Sequence, residues 1–261
     1  MLGAIAGDII GSRFEMANFF SKDFELFTRD NTFTDDTICS VAIADCLLNS
    51  LSWNFASYLR HYCREVPHAG YGGMFKRWIG DEAKGPYGSW GNGGAMRVSA
   101  IPYIASDGWD AMSIAEKTCN VTHNHPDAIN GARALVEAMC FAMDKLPVDR
   151  IRLAISEDYE YDLSSSVTDL QNMRLEFDVS AKGTVPLALI CALESESFED
   201  AIRNAISVGG DSDTIACMAG GLAEILHGGV PEYIKIEVYN RLPYKYIEII
   251  EQLYSVYDNR N

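Results

Sequence analysis

Apolar positions recur along most of this chain at helical spacing. Behind Thr34-Asp35-Asp36-Thr37, residues Ile38, Val41, Ala42, Ala44, Leu47 and Leu48 keep one apolar face, which predicts a helix that opens on two aspartates. His125 to Leu146 reads as a long helix, with Pro126 in the first turn, where a proline costs no hydrogen bond. Thr184 to Leu193 is apolar nearly throughout and reads as a short buried helix. Ser197 is placed to cap the helix that follows it. From Thr214, the positions Ile215, Met218, Ala219, Leu222, Ile225 and Leu226 trace a stripe that stops at Gly228-Gly229. Pro231 to Arg241 and Pro243 to Tyr257 read as two final amphipathic helices. Few segments show the alternation of half-buried strands, so the pattern predicts an all-α protein. No repeat, low-complexity tract or linker interrupts residues 1–261, which reads as one domain.

Two stretches lack this periodicity. Residues 158–183 are polar with scattered apolar positions, and predict either a surface excursion or a short helix between loops. Nine of the 21 glycines fall between Gly70 and Gly94, among Tyr71, Trp78, Tyr87 and Trp90. A long aperiodic segment inside a helical chain is functional or disordered, and the aromatics favour an ordered, functional one.

Composition narrows the partners. The chain has 48% hydrophobic and 22% charged residues, as ordinary globular proteins do. No apolar run reaches the roughly 18 residues that would span a bilayer, and the first residues lack the basic start of a signal peptide. Seven cysteines, at 39, 46, 63, 119, 140, 191 and 217, include no C-x-x-C pair. They read as buried thiols in a reducing cytoplasm. A net charge of −16 argues against a nucleic-acid-binding patch. No exposed apolar stripe demands a partner, so the expected state is a monomer.

The acidic clusters carry the chemistry. Aspartates at a helix N-terminus have a bland role as caps. Here the pattern occurs twice, since Asp211-Ser212-Asp213-Thr214 behind Gly209-Gly210 again leads into an apolar helix. Four carboxylates brought together repel one another unless cations compensate them. Ligands made only of oxygen select magnesium, manganese or calcium. Three further motifs stand out. Gly7-Asp8-Ile9-Ile10-Gly11-Ser12 precedes Glu15, and its glycines suggest close packing or a helix end. Gly91-Asn92-Gly93-Gly94-Ala95-Met96-Arg97 either lets backbone N–H groups approach a ligand beside a cation, or forms a tight helix entry with Arg97 in an ion pair. Thr122-His123-Asn124-His125 holds two histidines without a third nitrogen or sulfur ligand. They suit substrate hydrogen bonding or helix capping better than a metal.

In their order these motifs resemble the ADP-ribosylglycohydrolases: Gly-Asp-x-x-Gly-Ser-x-x-Glu, Phe-Thr-Asp-Asp-Thr, Gly-Ser-Trp-Gly-Asn-Gly-Gly-Ala-Met-Arg, Thr-His-x-His and Gly-Gly-Asp-Ser-Asp-Thr. The resemblance runs from about residue 3 to 229. It implies an all-α orthogonal bundle with long functional loops and a cleft holding two divalent cations, Mg2+ or Mn2+. It matches Thr34, Asp35, Asp36, Asp211, Asp213 and Thr214 to metal ligands. Glu15 is matched to a glutamate acting as base or gate, and Glu15 or a ligating aspartate such as Asp35 is expected to relay the catalytic proton. Gly88, Ser89, Trp90, Gly91, Asn92 and His123 are matched to the substrate. Trp90 stands where the family often has tyrosine, which keeps packing area but loses a hydroxyl. The implied activity is hydrolysis of the bond between ADP-ribose and an acceptor, either an arginine or serine side chain or a small conjugate such as O-acetyl-ADP-ribose. A non-catalytic ADP-ribose binder, or a crystallin-like structural protein, is the competing class. Inactive relatives would be expected to lose ligand positions that are intact here.

Overall fold

The computed structural model describes residues 1–260, which form fourteen α-helices and no sheet. In chain order these are α1 (Leu2–Gly11), α2 (Asp35–Asn49), α3 (Phe55–Glu65), α4 (Gly73–Gly80), α5 (Ile101–Ile104), α6 (Gly108–Asn120), α7 (Pro126–Met143), α8 (Val148–Tyr159), α9 (Val167–Met173), α10 (Ala181–Leu193), α11 (Phe198–Ser207), α12 (Ser212–Leu226), α13 (Glu232–Tyr239) and α14 (Tyr244–Asp258). A short 3-10 turn covers Asn92–Gly94. Pairing between extended segments is confined to two isolated bridges, Gly91 with Ser180 and Leu175 with Gly209. No described helix is long and apolar enough to cross a membrane.

Two helices form the axis of the molecule. Every residue of α1 is buried, as is every residue of α12 up to Glu224. Helices apolar on all sides belong in the middle of a core, and α2, α7, α10 and α11 pack around them. The α1–α12 crossing brings backbone against backbone. A Cβ placed on Gly7 would lie 2.0 Å from the Ala216 carbonyl oxygen, and one on Gly220 2.2 Å from that of Gly3. On Gly11 it would lie 2.5 Å from the Asp213 Cα. Glycines at 3, 7 and 11 share one face of α1 because residues four apart stack along a helix. That face sets the register of α1 on α12, and with it the spacing of Asp8 and Asp213.

Local capping agrees with the sequence reading and refines it. His125 caps α7 by accepting the Asp127 N–H, and Ser197 caps α11. The helix expected from Thr184 begins at Ala181, because Ser180 accepts the Gly183 N–H and opens an extra turn. Within 158–183 the short-helix alternative is the one found, as α9 with a Ser166–Asp169 capping box. The glycine-rich stretch is ordered and contains α4, which the aperiodic pattern did not predict. All seven cysteines are free, and only Cys140 is not fully buried.

Candidate active site

The bland explanation of the aspartates, that they cap helices, fails at both clusters. At α2 the capping is done by others. Thr34 accepts the Asp36 N–H, and the fully buried Asp8 accepts from the N–H groups of Thr34 (2.9 Å) and Thr37 (3.1 Å) and from both threonine hydroxyls. Asp35 and Asp36 are left free of that duty. At α12 the Asp211 side chain makes no cap bond and accepts instead from Asn92 Nδ2 at 2.7 Å. A double left-handed turn at Gly209 (φ 82°) and Gly210 (φ 79°) sets this entry, a conformation glycine adopts without strain. Asn18 holds the turn by bonding both the N–H and the carbonyl of Gly210, and so ties the segment carrying Glu15 to the second cluster.

The clusters meet. Oxygens of Asp8, Asp36 and Asp213 lie within 4.8 Å of one another, and so do oxygens of Glu15, Asp211 and Asp213. Asp213 belongs to both groups. Thr214 donates to Asp36 at 3.2 Å, bridging α12 to α2. Asp36 Oδ1 is buried without a partner, an arrangement that is costly unless something positive completes it. Asp35 belongs to neither group. It is partly buried on the cavity wall, with its N–H on the Ala69 carbonyl.

Charge repulsion is evident in the acidities. Burial first, then the neighbouring Asp8, pushes the Asp35 carboxyl up to about 8. Burial with the charges of Asp8 and Asp35 holds Asp36 well above the carboxylate range, and burial with Asp36 and Asp211 does the same to Asp213. Glu15 is raised by burial and by Asp211. Asp211 is raised by burial, opposed by the Asn92 bond. The donor set is all oxygen, anionic and short of positive partners, which fits hard divalent cations.

A stability prediction follows from these directions. Unfolded, the carboxyls ionise near 4. Folded without cations they keep their protons to higher pH, Asp35 to about 8. The folded state therefore binds more protons between these limits, and cation-free stability falls as pH rises through them. Thermal melts in chelator should give a lower Tm at pH 8 than at pH 5.5. Added Mg2+ or Mn2+ should raise Tm by about 5 °C or more at pH 8 and by less at pH 5.5. The reverse order would mean that the carboxylates are compensated within the protein.

A cavity of about 570 Å³ joins this acidic end to the glycine turn. Its walls include Glu15, Asp35, Asp36, Asp211, Asp213 and Thr214, together with Tyr87, Ser89, Gly91, Asn92, Gly93, Arg97 and His123, and the Asn92–Asp211 bond joins the two sets. Trp90, 48% exposed, lines it with the exposed side chains of Met74 and Phe177. The turn is pinned from outside by bonds from Asn92 N to the Val179 carbonyl (2.8 Å) and from Ala181 N to the Trp90 carbonyl (3.0 Å). Two residues expected at the site do not line the cavity. Gly88 is exposed and spends its N–H on Asn124 Oδ1, while Thr34 lies behind Asp36 with its hydroxyl on Asp8. His123 reaches the cavity, whereas His125 serves as the α7 cap. Asp8 and Asn18 were missed as site residues. A buried carboxylate in the first motif was the available signal for Asp8. Asn18 had none, since its partners lie far away in sequence.

An all-α bundle whose cavity runs from clustered carboxylates to a glycine turn is the frame these residues build. The family profile described as ADP-ribosylglycohydrolase matches residues 1–261, and the chain belongs to this family. It is accordingly an enzyme of the ADP-ribosyl hydrolase class, acting on ADP-ribose linkages. Among its relatives is ADP-ribosylhydrolase ARH3 of Homo sapiens, 25% identical, with 89% of this chain and 86% of that protein covered. ADP-ribosylarginine hydrolase Tri1 of Pseudomonas putida is 22% identical, over 88% of this chain and 71% of that protein. A solved structure described as an ADP-ribosylglycohydrolase-related protein complex has a TM-score of 0.71 at 22% identity, covering 98% of this chain and 95% of the other, and shares its fold.

Proposed function

We propose that this enzyme, acting as one domain, releases ADP-ribose from a modified protein side chain, an N-linked arginine or an O-linked serine, with two divalent cations, Mg2+ or Mn2+, in its acidic end. The observation that carries the reading is the single cavity in which two carboxylate groups sharing Asp213 face a glycine turn. The relatives, an ADP-ribosylhydrolase and an ADP-ribosylarginine hydrolase by name, support the linkage class.

Asp36, Asp211 and Asp213 are the core of the cation-holding set, completed by Asp35 and by the Thr214 and Thr34 hydroxyls. Those hydroxyls spend their hydrogens on Asp36 and Asp8, which leaves oxygen lone pairs free to face a cation. Asp8, already bonded four times, acts as their support. Bound cations would supply Lewis acidity and would lower the pKa of water. Glu15 takes the proton of the attacking water, a task suited to a carboxyl whose proton affinity is raised by burial and by Asp211. Asp35, on the same wall, faces the positive charge that grows on the sugar in an oxocarbenium-like transition state. Ser89, Gly91, Asn92 and His123 hold and orient the diphosphate end.

The test is a release assay with arginine-linked and serine-linked ADP-ribosyl peptides, run beside O-acetyl-ADP-ribose in Mg2+, Mn2+ or chelator. Release from one peptide, lost in chelator, is the expected result, and Glu15→Gln should lower kcat by roughly a hundredfold. Undiminished release in EDTA would overturn the cation-dependent scheme. Release from the small conjugate but from neither peptide would move the substrate class away from proteins.

A further inference from the structure

In the wall of the cavity sits a buried cation that no carboxylate pairs with. Arg97 is 1% exposed, and among the described residues it forms no ion pair. Its Nη2 donates to the Thr118 carbonyl and to Thr122 Oγ1, each at 2.8 Å. Thr118 lies in the last turn of α6, where free carbonyls and the negative end of the helix dipole stabilise a positive charge. Thr122 Oγ1 in turn lies 2.7 Å from His123 Nδ1.

The proton inventory of this chain of contacts has one solution. A guanidinium only donates, so Thr122 Oγ1 accepts from Arg97. The hydroxyl keeps a single proton to give away, and Nδ1 is its one acceptor among the described residues. A proton on Nδ1 would strand that hydroxyl in a buried site. We infer that Thr122, held by Arg97, fixes His123 as the neutral tautomer protonated at Nε2, so that the ring meets the cavity as a hydrogen-bond donor to a ligand oxygen.

The surroundings enforce this. Nε2 has no protein partner among the described residues, and His123 lines the cavity. A Cβ on Gly93 would come within 2.9 Å of Nε2, and one on Gly94 within 3.2 Å of the His123 Cβ, so glycine at both positions gives the ring its place. The Tyr87 ring flanks it at 5.9 Å, and the Cys119 thiol holds the His123 carbonyl. A second positive charge beside Arg97 is disfavoured, and burial with that repulsion pulls the imidazole well below its ordinary pKa. The cavity wall thus offers, besides its carboxylates, a neutral donor backed by a buried cation. That donor suits the oxygens of a diphosphate, a step that rests on the ADP-ribose reading. The tautomer itself does not depend on it.

Thr122 and Arg97 are positioning residues in this scheme, and the test reads the ring directly. In protein carrying 15N-labelled histidine, long-range proton–nitrogen correlation should show His123 protonated at Nε2 and bare at Nδ1. Thr122→Val should scramble that pattern and weaken ADP-ribose binding by about tenfold in calorimetry, while Thr122→Ser restores both. A wild-type spectrum with the proton on Nδ1, or with an imidazolium at neutral pH, would overturn the relay. So would a valine variant with the wild-type tautomer and affinity. If the valine variant does not fold, the wild-type spectrum decides alone. A wild type with the inferred tautomer that binds no ADP-ribose would uphold the relay and overturn the ligand reading.

Discussion

Asp213→Asn should abolish turnover, by a factor of about a thousand or more, while leaving a folded protein. The argument is one of sharing. Asp213 supplies an oxygen to both carboxylate groups, so on the proposed two-cation reading a neutral amide there weakens both positions together. Replacing any other member touches one group only. The same substitution removes a charge that Asp36 and Asp211 repel, and the residue's local bond to the Thr214 N–H survives in asparagine. Cation-free asparagine variant should therefore melt no lower than cation-free wild type, but its Tm should no longer rise when Mg2+ or Mn2+ is added. Calorimetry, melts and the release assay read the three parts separately. A variant that keeps turnover would show that Asp213 is not the junction of the site. One that unfolds in chelator would show that the carboxylate holds the fold instead.

Gly7→Ala should cost more than about 3 kcal/mol and lower Tm by about 10 °C, or leave the chain insoluble. The added methyl would meet the carbonyl oxygen and carbon of Ala216 at 2.0 and 2.4 Å. These are backbone atoms of a helix, so no rotamer change relieves the clash, and α1 must lift away from α12. Cation affinity should fall with it, because Asp8 and Asp213 ride on the two helices. Gly108→Ala is the matched control. It too lies in a helix, with nothing within 4 Å of the new methyl, and there alanine should be neutral or stabilising by a few tenths of a kcal/mol or more. Similar melting temperatures for the two variants would refute backbone contact as the source of the register.

How far the sequence disclosed this molecule depends on the element. Helices with a clear apolar period and a terminal signal, such as α2, α7, α11, α12, α13 and α14, were legible because periodicity and end signals are local properties. The first helix was not. It is buried on every side and carries three glycines on one face, so no polar stripe marks its period, and only close packing of Gly7 and Gly11 was foreseen. The short α4 begins and ends on glycine, which hides it in a stretch that reads as loop. The carboxylates Asp36, Asp211 and Asp213 were found by repulsion and ligand hardness, since charge is written in residue type. Their supports were not. Asp8, Asn18 and the bonds pinning Asn92 to Val179 act between segments that adjoin only after folding. Of the two readings offered for Arg97, the ion pair is the one the structure does not contain among the described residues. Its known contacts are a helix end and a threonine beside the cavity.

The carboxylate centre also has a history within each molecule. Asp8, Asp35 and Asp36 are synthesised well before Asp211 and Asp213, which sit at the start of α12. Until α12 has been synthesised and has settled against α1, the early carboxylates have no second half to share a cation with. On the proposed cation reading, loading therefore waits for α12 to settle against α1. On the same reading, scarcity of the ion would let α1 and α2 form and would leave the protein loosened at the seam between α1 and α12.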